Sequence, residues 1–230
     1  MESYLIDDIK FNPDTGKLLK TLHVGEHSRD AGTINRMVSE ARDIAGPKAF
    51  CAVCSIEKHG EDHVVIEGIE FRSRILRVNL DEAHRVFANV ATCGVELDTW
   101  ASRYNDILES FWADTIKENA LRKAVEAVDA MVTVLNASGR ISSMSPGSLE
   151  DWPITEQSRL FKLLGNGVAA TGVRLTDSCL MLPTKSLSRF TFPSEHNFQS
   201  CKLCPRERCP GRRAPYDADL FASKYKPADI

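Results

Sequence analysis

The chain has 230 residues, of which 43% are apolar and 27% charged, and a formal net charge of -3. That length supports one substantial domain, or a core domain with a small appendage, in an ordinary globular balance. So weak a charge excludes a global basic field for nucleic acid and an acidic solvating tail. No apolar run approaches the ~20 residues of a membrane span. The start, Met1 to Asp8, is acidic where a signal peptide needs a basic region and an apolar run, so a cytoplasmic protein is expected.

The first segment, through Gly25, has short apolar runs broken by Asn12-Pro13-Asp14-Thr15-Gly16, a turn signal. Ile34, Met37, Val38 and Ala41 fall at helical spacing and predict a helix from Asp30 to Ile44, stopped by Gly46-Pro47. Phe50 to Ile56, Val64 to Ile66, Ile69 to Phe71 and Ile75 to Val78 read as strands of a mostly antiparallel sheet. Asn79 or Asp81 is a candidate cap for a helix running to Ala91, before a turn at Thr92-Cys93-Gly94. The strongest helix is Ile107 to Leu135, with Ile116, Ala120, Ala124, Val128 and Val132 on a core-packing face. Gly139 ends it, and irregular chain is expected through Gly147. A helix from Ile154 to Leu164 follows Pro153. Val173 to Leu175, Cys179 to Leu182 and Leu187 to Phe192 read as strands. This order predicts an α+β fold, a mainly antiparallel sheet flanked by helices, over residues 1–194, with a Cys-rich tail over 195–230.

Two stretches are candidates for chemistry. Ser145-Pro146-Gly147-Ser148-Leu149-Glu150-Asp151-Trp152-Pro153 is a tight loop before a helix start, and such turns offer backbone N–H groups to a carboxylate or phosphate. Gly172-Val173-Arg174-Leu175-Thr176-Asp177-Ser178 interrupts an apolar run with polar groups that need partners or solvent. Each alone also reads as an ordinary turn.

Together they carry a resemblance. Pro146-Gly147, then Thr155-Glu156-Gln157 opening a helix that ends at Leu163-Leu164, then Thr171 to Ser178, then Met181, Pro183, Ser186 and Ser188 resemble the activation domain of cobalamin-dependent methionine synthase, over residues 140–192. The resemblance implies a helmet-shaped α+β domain with a curved sheet that binds S-adenosylmethionine and docks on a corrinoid-binding methyltransferase. There it supports reductive remethylation of cobalamin, with electrons from a donor such as flavodoxin or ferredoxin. It also implies that Ser143, Pro146, Gly147, Ser148, Thr176, Asp177, Ser178 and Lys185 line the cleft, with Phe198 as an aromatic contact. The family places Arg four residues before the glycine and Tyr directly after it; this chain has Ser143 and Ser148. A serine cannot supply a bidentate charged contact to a carboxylate, and Arg140 is the nearby candidate to replace it.

Three of the seven cysteines, Cys201, Cys204 and Cys209, crowd into the tail. The Cys-x2-Cys spacing predicts zinc or an iron–sulfur cluster, with His196 or Cys179 among the candidates for a fourth ligand; unligated thiols are the alternative. Arg206, Arg208, Arg212 and Arg213 make the tail positive, either a docking patch or a solvated loop. Cys51 and Cys54 share that spacing within a strand, which points them to opposite faces and predicts packing thiols, as at Cys93 and Cys179. His59 and His63 read as a hairpin connection and His84 as a helix-surface residue. Three roles follow: a stand-alone reactivation protein, a non-enzymatic subunit that binds a corrinoid protein, or a redox protein whose cluster reduces the corrinoid.

Overall fold

A computed structural model describes residues 1–136, 139–194, 198–209 and 211–226. Its centre is a mainly antiparallel sheet of strands β1 (Glu2–Ile6), β2 (Lys48–His59), β3 (His63–Ile66), β4 (Ile69–Arg72), β5 (Arg85–Thr92), β6 (Ile141–Met144) and β9 (Ser186–Pro193). The order across the sheet is β4-β3-β2-β5-β9-β6. β1 pairs with the first half of β2, Ala49 to Val53, and β3 with its far end, Ile56 to His59. Strands β7 (Arg174–Leu175) and β8 (Met181–Leu182) form a separate two-stranded hairpin. The helices are α1 (Thr15–Thr21), α2 (Arg29–Ile44), α3 (Arg74–Asn79), α4 (Val95–Ala101), α5 (Ile107–Asn136), α6 (Gln157–Leu164) and α7 (Asn166–Thr171). The α+β architecture expected from the sequence is the one observed.

Alternation along the central strands divides the core. Ala49, Cys51, Phe87 and Ala91 face Ala124, Val128 and Val132 of α5. Phe50, Ala52, Cys54, Ala88 and Val90 face the other way, onto Leu76 of α3, Leu160 and Leu164 of α6 and Val168 of α7. Small residues at 49, 88 and 91 let helices lie close on both faces. A third cluster joins α1, α2 and α4 to the first half of α5, through Leu18, Ile34, Met37, Leu97, Trp100, Trp112 and Ile116. Cys51 and Cys54 therefore point into different clusters, as their strand spacing requires. Burial pushes the thiols of Cys51, Cys54 and Cys93 up to about 12. Alkylation of the native protein at pH 8 is expected to modify Cys201, Cys204 and Cys209 and spare these three until denaturant is added. Peptide mass mapping checks this.

Four readings of the sequence are corrected. Ile75 to Val78 is helical, within α3, because Ser73 caps it by accepting from the Leu76 N–H at 2.9 Å. No helix runs to Ala91; that stretch is β5, and His84 precedes it off any helix. Val86 to Thr92 are all buried, so both faces are apolar and the period-two signature of a strand is missing. Asn12 to Gly16 is less a turn than a helix start, since Asp14 accepts from the Lys17 N–H at 3.0 Å and caps α1. Before Gly147, where irregular chain was expected, β6 pairs with the end of β9.

The tail folds back onto the sheet's second cluster. Phe198 and Tyr225 are buried there, ring edge to ring face with centroids 6.5 Å apart, and the Tyr225 hydroxyl donates to Asn79 at 3.0 Å. No helix among the described residues is long and apolar enough to cross a membrane.

Candidate functional site

Strand β6 and its following loop form one wall of two clefts, and the tail forms the other. The larger, about 450 Å³, is lined by Gly147, Ser148, Glu150, Leu203, Cys204, Tyr216, Asp217 and Phe221, among others. Its volume falls within the range of small-molecule sites. Two aromatic rings and a carboxylate on the tail wall, with Glu150 on the loop wall, suit a flat heterocycle and a positive charge.

The loop is rigid by its own bonding. Gly147 N–H donates to Trp152 O at 2.7 Å, and Ser148 donates to Ser145 O through its N–H at 3.1 Å and its hydroxyl at 2.6 Å. The Gly147 and Ser148 N–H groups are thus engaged within the loop. Gly147 has φ of 79°, and an added Cβ would meet Ile154 Cδ1 at 2.9 Å, so the backbone requires glycine here. Asp151 ties the loop to α3 by accepting from Ser73 Oγ, from Arg74 N at 3.2 Å and from Ile75 N at 3.0 Å. Trp152 is fully buried and stacks on Phe190, with centroids 5.5 Å apart.

The smaller cleft, about 180 Å³, is lined by Ser143, Arg189, Arg213, Asp129, Phe198 and Gln199, among others. Arg189 is 5% exposed and donates to Asn89 Oδ1 at 3.1 Å, Ser143 Oγ at 3.5 Å and Asp129 Oδ1 at 2.5 Å. Burial pulls the Arg189 guanidinium below its ordinary value, against the opposing pull of Asp129. Ser142 Oγ and Gln199 Oε1 are buried without a hydrogen-bond partner among the described residues.

Of the residues singled out in the sequence, Gly147 and Ser148 line the larger cleft, and Ser143 and Phe198 the smaller. Pro146 is buried beneath the loop. Thr176, Asp177 and Ser178 line neither cleft. They make the turn between β7 and β8, where Thr176 Oγ1 accepts from Leu180 N at 3.1 Å and lies 3.0 Å from Ser178 Oγ. Lys185 is also elsewhere, paired with Asp114 at 2.8 Å and Glu118 at 3.6 Å on α5. Burial disfavours its charge, but the two carboxylates outweigh that and raise it above the ordinary lysine value. Arg140, the expected stand-in for the missing arginine, lines neither cleft; Arg189 is the arginine beside Ser143. A charged residue in the middle of the strand read from Leu187 to Phe192 was the signal for it, because a charge buried in a sheet must be paired.

Among the described residues no three His, Cys, Asp or Glu side chains are placed to hold a metal ion; His196 lies outside them. The tail is organised instead by Arg212, whose guanidinium donates to the carbonyls of Cys201 at 3.0 Å, Cys204 at 3.1 Å, Ala214 at 3.2 Å and Arg206. Five N–H donors in a planar fork gather four backbone oxygens, holding the Cys201–Cys204 turn against the cleft.

A mainly antiparallel sheet covered by helices on both faces is a fold seen before. The structure is similar to that of the MetH reactivation domain bound to AdoHcy, with a TM-score of 0.64 and 14% identity, covering 86% of this chain and 80% of that one. No protein-family model matches the sequence, and no curated protein does.

Proposed function

We propose that this chain is a reactivation-domain protein that supports reductive remethylation of a cobalamin-dependent methyltransferase, with S-adenosylmethionine as methyl donor. The observation that carries this reading is the cleft of about 450 Å³, built from the loop of the family resemblance, in a fold similar to a domain whose structure was solved with AdoHcy. Tyr216 and Phe221 are suited to receive the adenine ring, and Glu150 and Asp217 to face the sulfonium. S-adenosylmethionine would supply an electrophilic methyl group to the reduced corrinoid of the partner. The chain's own contribution is positioning: its clefts hold the donor. No acid or base of this chain is needed, because no proton moves when a methyl group passes from sulfur to a reduced metal centre.

Calorimetric titration of S-adenosylmethionine tests the reading, alone and with a cobalamin-dependent methyltransferase, together with a remethylation assay. Saturable binding is expected, and Tyr216→Ala should weaken it on the order of tenfold, the loss of one aromatic contact. Binding without remethylation would favour a non-enzymatic subunit that caps the corrinoid protein. Absence of binding under both conditions would remove the methyl-donor role.

A further inference from the structure

The smaller cleft has features that the packing of the fold does not require. Arg189 carries five N–H donors, and three bonds account for three of them. The bond to Ser143 Oγ is long, at 3.5 Å, and is the one a charged oxygen would most readily displace. The exposed Arg213 adds a second positive charge to the lining, against the single carboxylate of Asp129. Two guanidinium groups beside one carboxylate form a recognition pair for a zwitterion: the arginines for its carboxylate, the aspartate for its ammonium.

We infer that Arg189, assisted by Arg213, is the specificity-determining group of this chain, binding the α-carboxylate of an amino-acid-bearing ligand while Asp129 takes its ammonium. This rests on the reading that the chain binds S-adenosylmethionine. Arg189 comes from β9 and not from the loop, so the charge that Ser143 lacks is supplied across the β6–β9 pair, in which Ser143 sits opposite Thr191. Asp129, from α5, holds the guanidinium in place until the ligand arrives.

The test compares S-adenosylmethionine with decarboxylated S-adenosylmethionine, which keeps the adenosine, sulfonium and ammonium groups and lacks only the carboxylate. The native chain is expected to bind the intact ligand at least tenfold tighter, and Arg189→Lys to shrink that ratio to about threefold or less, because an ammonium cannot make the forked contact. Arg213→Gln, at an exposed position, should lower the ratio several-fold, and it serves as the decisive variant if Arg189→Lys fails to fold by thermal melting. Equal binding of the two ligands by the native chain would overturn the assignment and leave the larger cleft's reading intact. So would a ratio unchanged in the folded variants. Binding of neither ligand would overturn both.

Discussion

Replacing Asp151 by alanine is expected to lower stability by about 3 kcal/mol and to weaken ligand binding together with it. The carboxylate accepts from Ser73 Oγ and from the first two N–H groups of α3, Arg74 at 3.2 Å and Ile75 at 3.0 Å. Those N–H groups have no partner within the helix, and a negative charge at a helix N-terminus also favours its dipole. Charge-assisted hydrogen bonds contribute about 1.5–3 kcal/mol each, and water replaces part of what is lost at this partly exposed site. In a chain of this size 3 kcal/mol is roughly a 6–12 °C fall in thermal midpoint, readable by calorimetry. Asp151 is also the link between the cleft's loop and α3, so ligand affinity should fall at temperatures where the variant is still folded. A change of midpoint without change in affinity would show that the loop is held by other contacts, chiefly buried Trp152 against Phe190.

Gly94→Ala is expected to be more damaging. Gly94 joins β5 to α4 with φ of 92° and ψ of 149°, a region that only glycine enters freely. An added Cβ would run into the Gly46 carbonyl oxygen, which is backbone and cannot rotate away, and would lie 2.6 Å from Glu96 Oε2. The backbone conformation alone costs an alanine about 1–3 kcal/mol. The clash must further separate the end of α2 from the start of α4, two helices that share a core with α5. A total of at least about 3 kcal/mol is expected, with expression in aggregated form or a midpoint lowered by about 10 °C or more. A midpoint within 2 °C of the native one, an order-of-magnitude threshold on the same scale, would show that the turn relaxes into another form.

These two residues differ in how visible they were beforehand. Thr92-Cys93-Gly94 read as a turn from its glycine, and the structure adds the close approach of Gly46 that forbids any side chain. Asp151 stood in a loop recognised for its Pro and Gly. Its role depends on α3, a helix that the sequence suggested was a strand. Ile75 to Val78 has the apolar density of either element, and only Ser73 and Asp151, meeting across 78 positions of sequence, settle the matter as a helix. The candidate site shows the same division. Gly147, Ser148, Ser143 and Phe198 were found on the clefts, whereas Thr176, Asp177 and Ser178 proved to be a closed turn with its hydroxyls already used.

By itself the sequence determined what local pattern can carry. Periodicity announced α2 and α5, apolar runs announced β2, β3, β4 and β9, and strand spacing placed Cys51 and Cys54 on opposite faces. Each of these signals is written within a few residues, because a helix or a half-buried strand sorts its side chains by their own spacing. Tertiary structure alone decided what depends on distant partners. β5, buried on both faces, has no alternation to display; its identity comes from β2 and β9 on either side. Arg189 is held at the smaller cleft only because Asp129 and Ser143, 60 and 46 positions away, close around it. The cysteine tail follows the same logic: the spacing suggested a metal, and Arg212 supplies the charge that gathers its backbone, since a buried carbonyl takes whichever donor the fold brings to it.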